Sequence, residues 1–192
     1  TTIPNSTKEF LDDAFFQINF FRWAIDEYFN RSGSSGKSFT KHINGSTKVK
    51  IKVKRLSGAF TGVLGHAWSD GAGTGTIVLN SVYVNCCRNI YNGTQGNYDM
   101  ANRYGALLEV ASVIVHEMNH VVWKLGEKQA WSMEGFFRHK VQTWLGIADA
   151  DLCGQETWPC GVNTKRSQGC GLSDLQIDMV DIQDNPDRQC LT

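Results

Sequence analysis

Apolar residues recur every three or four positions at Phe10, Ala14, Ile18, Phe21, Ile25 and Phe29, which aligns them as one stripe of a helix. Upstream, Ser6-Thr7-Lys8-Glu9 has the spacing of a capping box. The chain is therefore expected to open with one long amphipathic helix, closed by the polar loop Asn30 to Lys37. The period then changes from helical to alternating. Val49, Ile51 and Val53 interleave with Lys48, Lys50, Lys52 and Lys54, followed by Arg55, the pattern of a strand with one solvated face. The basic residues are read as a charged outer face that also protects an edge strand from aggregation. After the Gly-rich passage Ser57 to Gly62, a second strand is expected near Val63 to Trp68 and a third from Thr76 to Val84. A polar loop from Arg88 to Asn97 precedes the strongest helical signal in the chain. Met100, Tyr104, Leu107, Ala111, Ile114, Met118, Val122 and Leu125 form it, with Gly126 placed to stop the helix. Another helix is predicted from Ser132 to about Leu145, with Met133, Phe136, Phe137, Val141 and Trp144 on its apolar side, and a short one around Leu175 to Ile182.

This order of elements predicts an α+β domain: a small twisted mixed sheet, an N-terminal helix, two later helices and a Cys-rich C-terminal segment. At 192 residues, 41% of them hydrophobic, the chain suits one domain over 1–192, in which 1–126 and 127–192 form two subdomains. Nineteen basic residues balance nineteen acidic ones, so there is no global positive field for a nucleic acid partner. Apolar runs fall short of the roughly 20 residues a membrane helix needs, so no membrane partner is expected and the chain is read as a monomer. Cys86, Cys87, Cys153, Cys160, Cys170 and Cys190 form no paired CxxC motif, and four of them fall in the polar, Gly-rich tail. Disulfides are the natural staple for such a segment, with Cys86 and Cys87 anchoring it to the body. Sequons at Asn5, Asn30, Asn44 and Asn92 point the same way, to a secreted, extracellular glycoprotein. A start at Thr1-Thr2-Ile3-Pro4 suits a processed chain, whose leader and propeptide have been removed.

Candidate chemistry lies at His116-Glu117-Met118-Asn119-His120, inside the best helix. Residues i and i+4 stack on one helix face, so two imidazoles there can converge on one tetrahedral zinc ion. Glu117 is about 100° round the helix, too far for an equivalent ligand but placed to act as general base on a water. The histidine face continues through Glu109, Ser112 and Lys124, polar residues opposite the core stripe, which predicts a polar cleft on that side. No histidine follows in the metzincin register HExxHxxGxxH, and the Gly-Thr-Asp ligand of deuterolysin-like enzymes is missing. Glu134, expected near the first turn of the next helix, is the leading third ligand; a glutamate merely satisfying a helix N-terminus is the bland alternative, and Glu127 and His139 are in reserve. His66, near Ala67 and Trp68, is a candidate for the substrate rim, weighed against a surface or hydrogen-bonded histidine, and His139 for an oxyanion donor, weighed against a generic surface histidine. Asp174, Asp178, Asp181, Asp184 and Asp187 lack a compact calcium loop and read as a solvated face.

Several stretches together resemble the HExxH zincins of the glutamate-ligated, gluzincin type, and more loosely the plant basic secretory protein family, which is associated with secreted peptidases. They are Gly62-Val63-Leu64-Gly65-His66-Ala67, Ile77-Val78-Leu79-Asn80-Ser81-Val82-Tyr83-Val84, Val113-Ile114-Val115-His116-Glu117-Met118-Asn119-His120-Val121 and Met133-Glu134-Gly135. The resemblance implies a zincin-like fold with a strand bordering the cleft, a zinc helix, and a glutamate helix supplying the last ligand. The expectation is a secreted zinc-dependent endopeptidase, acting on peptide or protein substrates through one catalytic Zn2+. In that reading His116, His120 and Glu134 hold the metal and Glu117 is the general base. The alternatives are a secreted zinc-binding protein or effector without turnover, and another zinc amide hydrolase.

Overall fold

The computed structural model describes residues 6–34, 36–43, 48–56, 64–71, 74–93, 100–146 and 179–182. Ser6 caps the first helix, its hydroxyl oxygen accepting from the Glu9 amide at 3.2 Å. That helix, α1 (Thr7–Phe20), ends where Phe21 leaves helical geometry at φ −97° and ψ 20°, and α2 (Arg22–Arg31) continues beyond it. The expected single helix is thus two. Phe21 is buried and packs edge-on against Trp144, 5.3 Å between ring centroids, a contact that periodicity does not register. The apolar stripe survives the break, since Phe10, Ala14, Ile18, Ile25 and Phe29 are all buried. A single turn, α3 (Phe39–His42), follows, capped by Ser38.

Strands β1 (Lys48–Leu56), β2 (Gly65–Gly71) and β3 (Thr74–Asn80) come next, then helices α4 (Ser81–Asn92), α5 (Met100–Val121) and α6 (Glu127–Leu145), and strand β4 (Met179–Ile182). The sheet order is β2-β3-β1-β4. β1 and β3 run parallel, pairing Lys50 with Thr76 and Lys54 with Asn80. β2 is antiparallel to β3, with His66 opposite Val78, and β4 is antiparallel to the end of β1. The class is α+β with a mixed sheet, as the pattern predicted. The alternating lysines do not mark a sheet edge, because β1 lies between β3 and β4. Met179–Ile182, read from sequence as part of a short helix, is a strand.

The third strand is shorter than expected and the loop after it is a helix. Asn80 turns the chain: its side-chain oxygen accepts from the Val82 amide at 3.2 Å, the geometry of an N-cap. The run Ile77 to Val84 reads as one apolar strand, but Tyr83, Val84, Cys87 and Ile90 recur at helical spacing and are buried. Gly93, at φ +70°, closes α4 in the left-handed conformation that glycine adopts without strain. Within α4, Cys86 is disulfide-bonded and Cys87 is buried. Adjacent helical residues point about 100° apart, so Cys86 and Cys87 face different surroundings. Cys153, Cys160, Cys170 and Cys190 lie outside the described residues, as do Asn5 and Asn44. Asn30 is exposed and Asn92 half-buried.

α5 crosses the sheet and is buried on nearly every side from Gly105 to Asn119. Ile77, Leu79 and Ala67 face it from the strands. Two glycines permit this approach. A Cβ on Gly65 would stand 3.1 Å from Val113, and one on Gly75 would stand 2.6 Å from Cβ of Val121 and 2.9 Å from the Trp68 carbonyl. No described helix is long and apolar enough to cross a membrane. Gly75→Ala is expected to lower stability by about 1–3 kcal/mol through overpacking. A urea titration checks this; an unchanged midpoint would show that α5 can back away from β3 freely.

Candidate metal centre

α5 ends at Val121, and Lys124, at φ +57°, folds the chain back. This is a conformation few non-glycine residues adopt. Gly126, expected to stop α5, is instead the N-cap of α6, which begins at Glu127, five residues before the predicted start at Ser132. The reversal has direct consequences for the histidines. It presents the Leu125 carbonyl to Nδ1 of His120 at 2.8 Å, while the Leu125 amide bonds the Asn119 carbonyl at 2.9 Å. A carbonyl can only accept, so Nδ1 of His120 carries a proton; Nε2, on the Glu127 side, donates to that carboxylate when the ring is protonated and offers a lone pair when it is neutral.

Nε2 of His120 lies 3.4 Å from Nε2 of His116, and Oε1 of Glu127 lies 2.9 Å from both. These three residues form a group that could hold a metal ion, and it is the one such group among the described residues. The spacing fits. Donors about 2.0–2.1 Å from a tetrahedral ion stand roughly 3.3 Å apart, close to the separation of the two nitrogens. The carboxylate oxygen is drawn slightly nearer because it accepts hydrogen bonds there. His116 is 2% exposed, while the Glu127 side chain is 27% exposed, so the group opens to solvent on the Glu127 side. Burial would push the Glu127 carboxyl up. Hydrogen bonds from His116 and His120 and their charge outweigh that and hold it down at about 2, and the first turn of α6 favours the carboxylate further. Glu117, one residue beyond His116, is buried.

Glu134 sits in the third turn of α6 and not the first. Its Oε2 is 3.3 Å from Nδ1 of His116, on the ring edge opposite Glu127. His116 is thus held between two carboxylates. Behind it, Arg138 places Nη2 at 2.9 Å from Glu109 and 3.6 Å from Glu134, and its Nε donates to Ser112 at 3.4 Å. The Tyr83 hydroxyl donates to Glu109 at 2.9 Å. All are at most 5% exposed. The polar face of α5 at Glu109 and Ser112 therefore lines no cleft; it is buried against α6, and only Lys124 of that set is exposed. Sequence reasoning missed Arg138 and Tyr83. The spacing Glu134 to Arg138, one helical turn, was the available signal. His66 is buried on β2 with its ring 6.0 Å from Trp68, so its side chain forms no open rim. His139 is exposed, and α6 carries it about 18 Å along the axis from Glu127, away from the ligand group.

The two carboxylates can be told apart. Glu127→Gln is expected to weaken zinc binding by on the order of 100-fold or more, and Glu134→Gln by about 10–100-fold, the range for groups that orient a ligand. Chelator competition on each variant checks this, and the reverse order would make Glu134 the ligand. The depressed value for Glu127 also has a sign. Its folded value lies below the ordinary 4.5, so its contribution to stability is present above that pH and is lost as the pH falls towards 2. In the metal-free protein, the stability advantage of wild type over Glu127→Gln should shrink on acidification from pH 4.5; urea titrations in which it grows would contradict the assignment.

Set against known proteins, the chain matches no family model, no curated protein and no solved structure.

Proposed function

We propose that the chain is a secreted zinc-dependent endopeptidase of the zincin type, with its metal on His116, His120 and Glu127. One observation carries the reading: a two-histidine, one-carboxylate donor set converges on a single point, near the C-terminal end of α5, where Glu117 follows His116. Two imidazoles and a carboxylate are a hydrolytic zinc set that leaves a position open. Zinc held there would supply Lewis acidity towards a scissile carbonyl and would lower the pKa of an attacking water. The Glu117 carboxylate would take that proton and return it to the leaving amine. The bond from His120 to the Leu125 carbonyl and the contact of His116 with Glu134 fix the orientation of both rings. Among the described strands β2 stands at the end of the sheet order, and it packs on α5, so its outer edge can take an extended peptide as a further strand. The intact Glu117 favours turnover over simple metal capture, since holding zinc does not require it.

Glu117→Gln is expected to retain zinc and to lose cleavage of a peptide library by a factor on the order of 100 or more. Zinc-loaded wild type that cleaves nothing, or a variant that cleaves as well as wild type, would sink the proposal. Zinc retained in both without peptide cleavage would favour a non-catalytic zinc protein.

A further inference from the structure

Four ionisable groups are packed where water does not reach. Glu109 and Glu134 are each 1% exposed, Arg138 is 4% and His116 is 2%. Removing one charge from water costs several kcal/mol, so such a set persists only if its members satisfy each other. Here ion-pair contacts and hydrogen bonds link them in a chain that crosses three helices. Tyr83 on α4 donates to Oε2 of Glu109 on α5, and Oε1 of Glu109 meets Nη2 of Arg138 on α6. The same Nη2 reaches Oε1 of Glu134 one helical turn back, leaving Oε2 of Glu134 against Nδ1 of His116. The guanidinium is also tied by Nε to Ser112, whose hydroxyl donates to the Leu108 carbonyl at 2.6 Å.

From this arrangement we infer that Arg138 is a positioning residue for the metal centre: anchored by Glu109 and Ser112, it holds the Glu134 carboxylate against His116. Arginine suits the task because its planar fork meets two carboxylates and a hydroxyl from fixed directions, which a lysine ammonium cannot do at once. The cluster also sets two carboxylates against one guanidinium. The inference rests on the metal-centre reading, and it holds whether Glu134 braces His116 or takes a place on the ion, because Arg138 acts through that carboxylate in both cases.

The test is a double-mutant cycle on zinc affinity, measured by chelator competition on the full chain, with urea unfolding of each metal-free variant alongside. Arg138→Met is expected to weaken zinc binding by about 10–100-fold. Arg138→Lys, keeping the charge without the fork, should fall between it and wild type. In a Glu134→Gln background, Arg138→Met should cost no more than about twofold, because the group it acts through is gone. A merely structural arginine would lower stability yet give the same affinity loss in both backgrounds, and that additivity would overturn the inference. So would an Arg138→Met variant with wild-type affinity. Should Arg138→Met not fold, the cycle runs with Arg138→Lys and is read by the same criterion. Wild type that binds no zinc would remove the metal centre and this inference together, whereas zinc binding that ignores Arg138 removes only the inference.

Discussion

The interface between α5 and α6 must neutralise charge without water, and much of the molecule follows from that requirement. A 22-residue helix buried on nearly every side ordinarily carries only apolar residues. α5 carries Glu109, Ser112, His116, Glu117 and Asn119 through its buried stretch. Such a helix is stable only if neighbours supply partners in register, and α6 does so with Arg138 and Glu134, while α4 adds Tyr83. Breaking a buried ion pair by removing one partner typically costs about 3–5 kcal/mol. The polar contacts thus fix the register of α6 on α5 more sharply than apolar packing by Met133, Phe137 and Val141 could.

Register at that interface decides the chemistry at its end. The connection from α5 to α6 is only five residues, Val122 to Gly126, and so short a link makes the helices antiparallel neighbours. The C-terminus of α5, with His116 and His120, meets the N-terminus of α6, with Glu127. Lys124 accepts an uncommon backbone conformation to make the reversal, and the turn supplies the Leu125 carbonyl that sets the His120 tautomer. Gly65 and Gly75 let β2 and β3 approach α5 closely enough for the sheet to lie against the helix that bears His116 and His120.

Periodicity and motif spacing established a good deal unaided. The N-cap at Ser6, the lysine-studded strand, the α+β order and the long helix bearing His116 and His120 were legible because each is a local signal, set by spacing along the chain. The boundaries that moved did so for tertiary reasons. Phe21 breaks the first helix where it packs on Trp144, and Asn80 converts an apparent strand into a helix by capping it. Gly126 was read as the end of one helix when it begins the next, since glycine signals both.

The HEMNH stretch by itself determined which two histidines could share an ion and which acid stood beside them, because a helix fixes the geometry of residues one turn apart. Only the tertiary structure decided what completes the group. Glu127 and Glu134 are both carboxylates on α6, separated by two turns, and nothing local distinguishes their roles. The five-residue reversal and the buried pairing of Arg138 with Glu109 rotate α6 so that one acid reaches the Nε2 edge of His116 and the other its Nδ1 edge. That rotation is a property of two packed helices, which spacing along one of them does not encode.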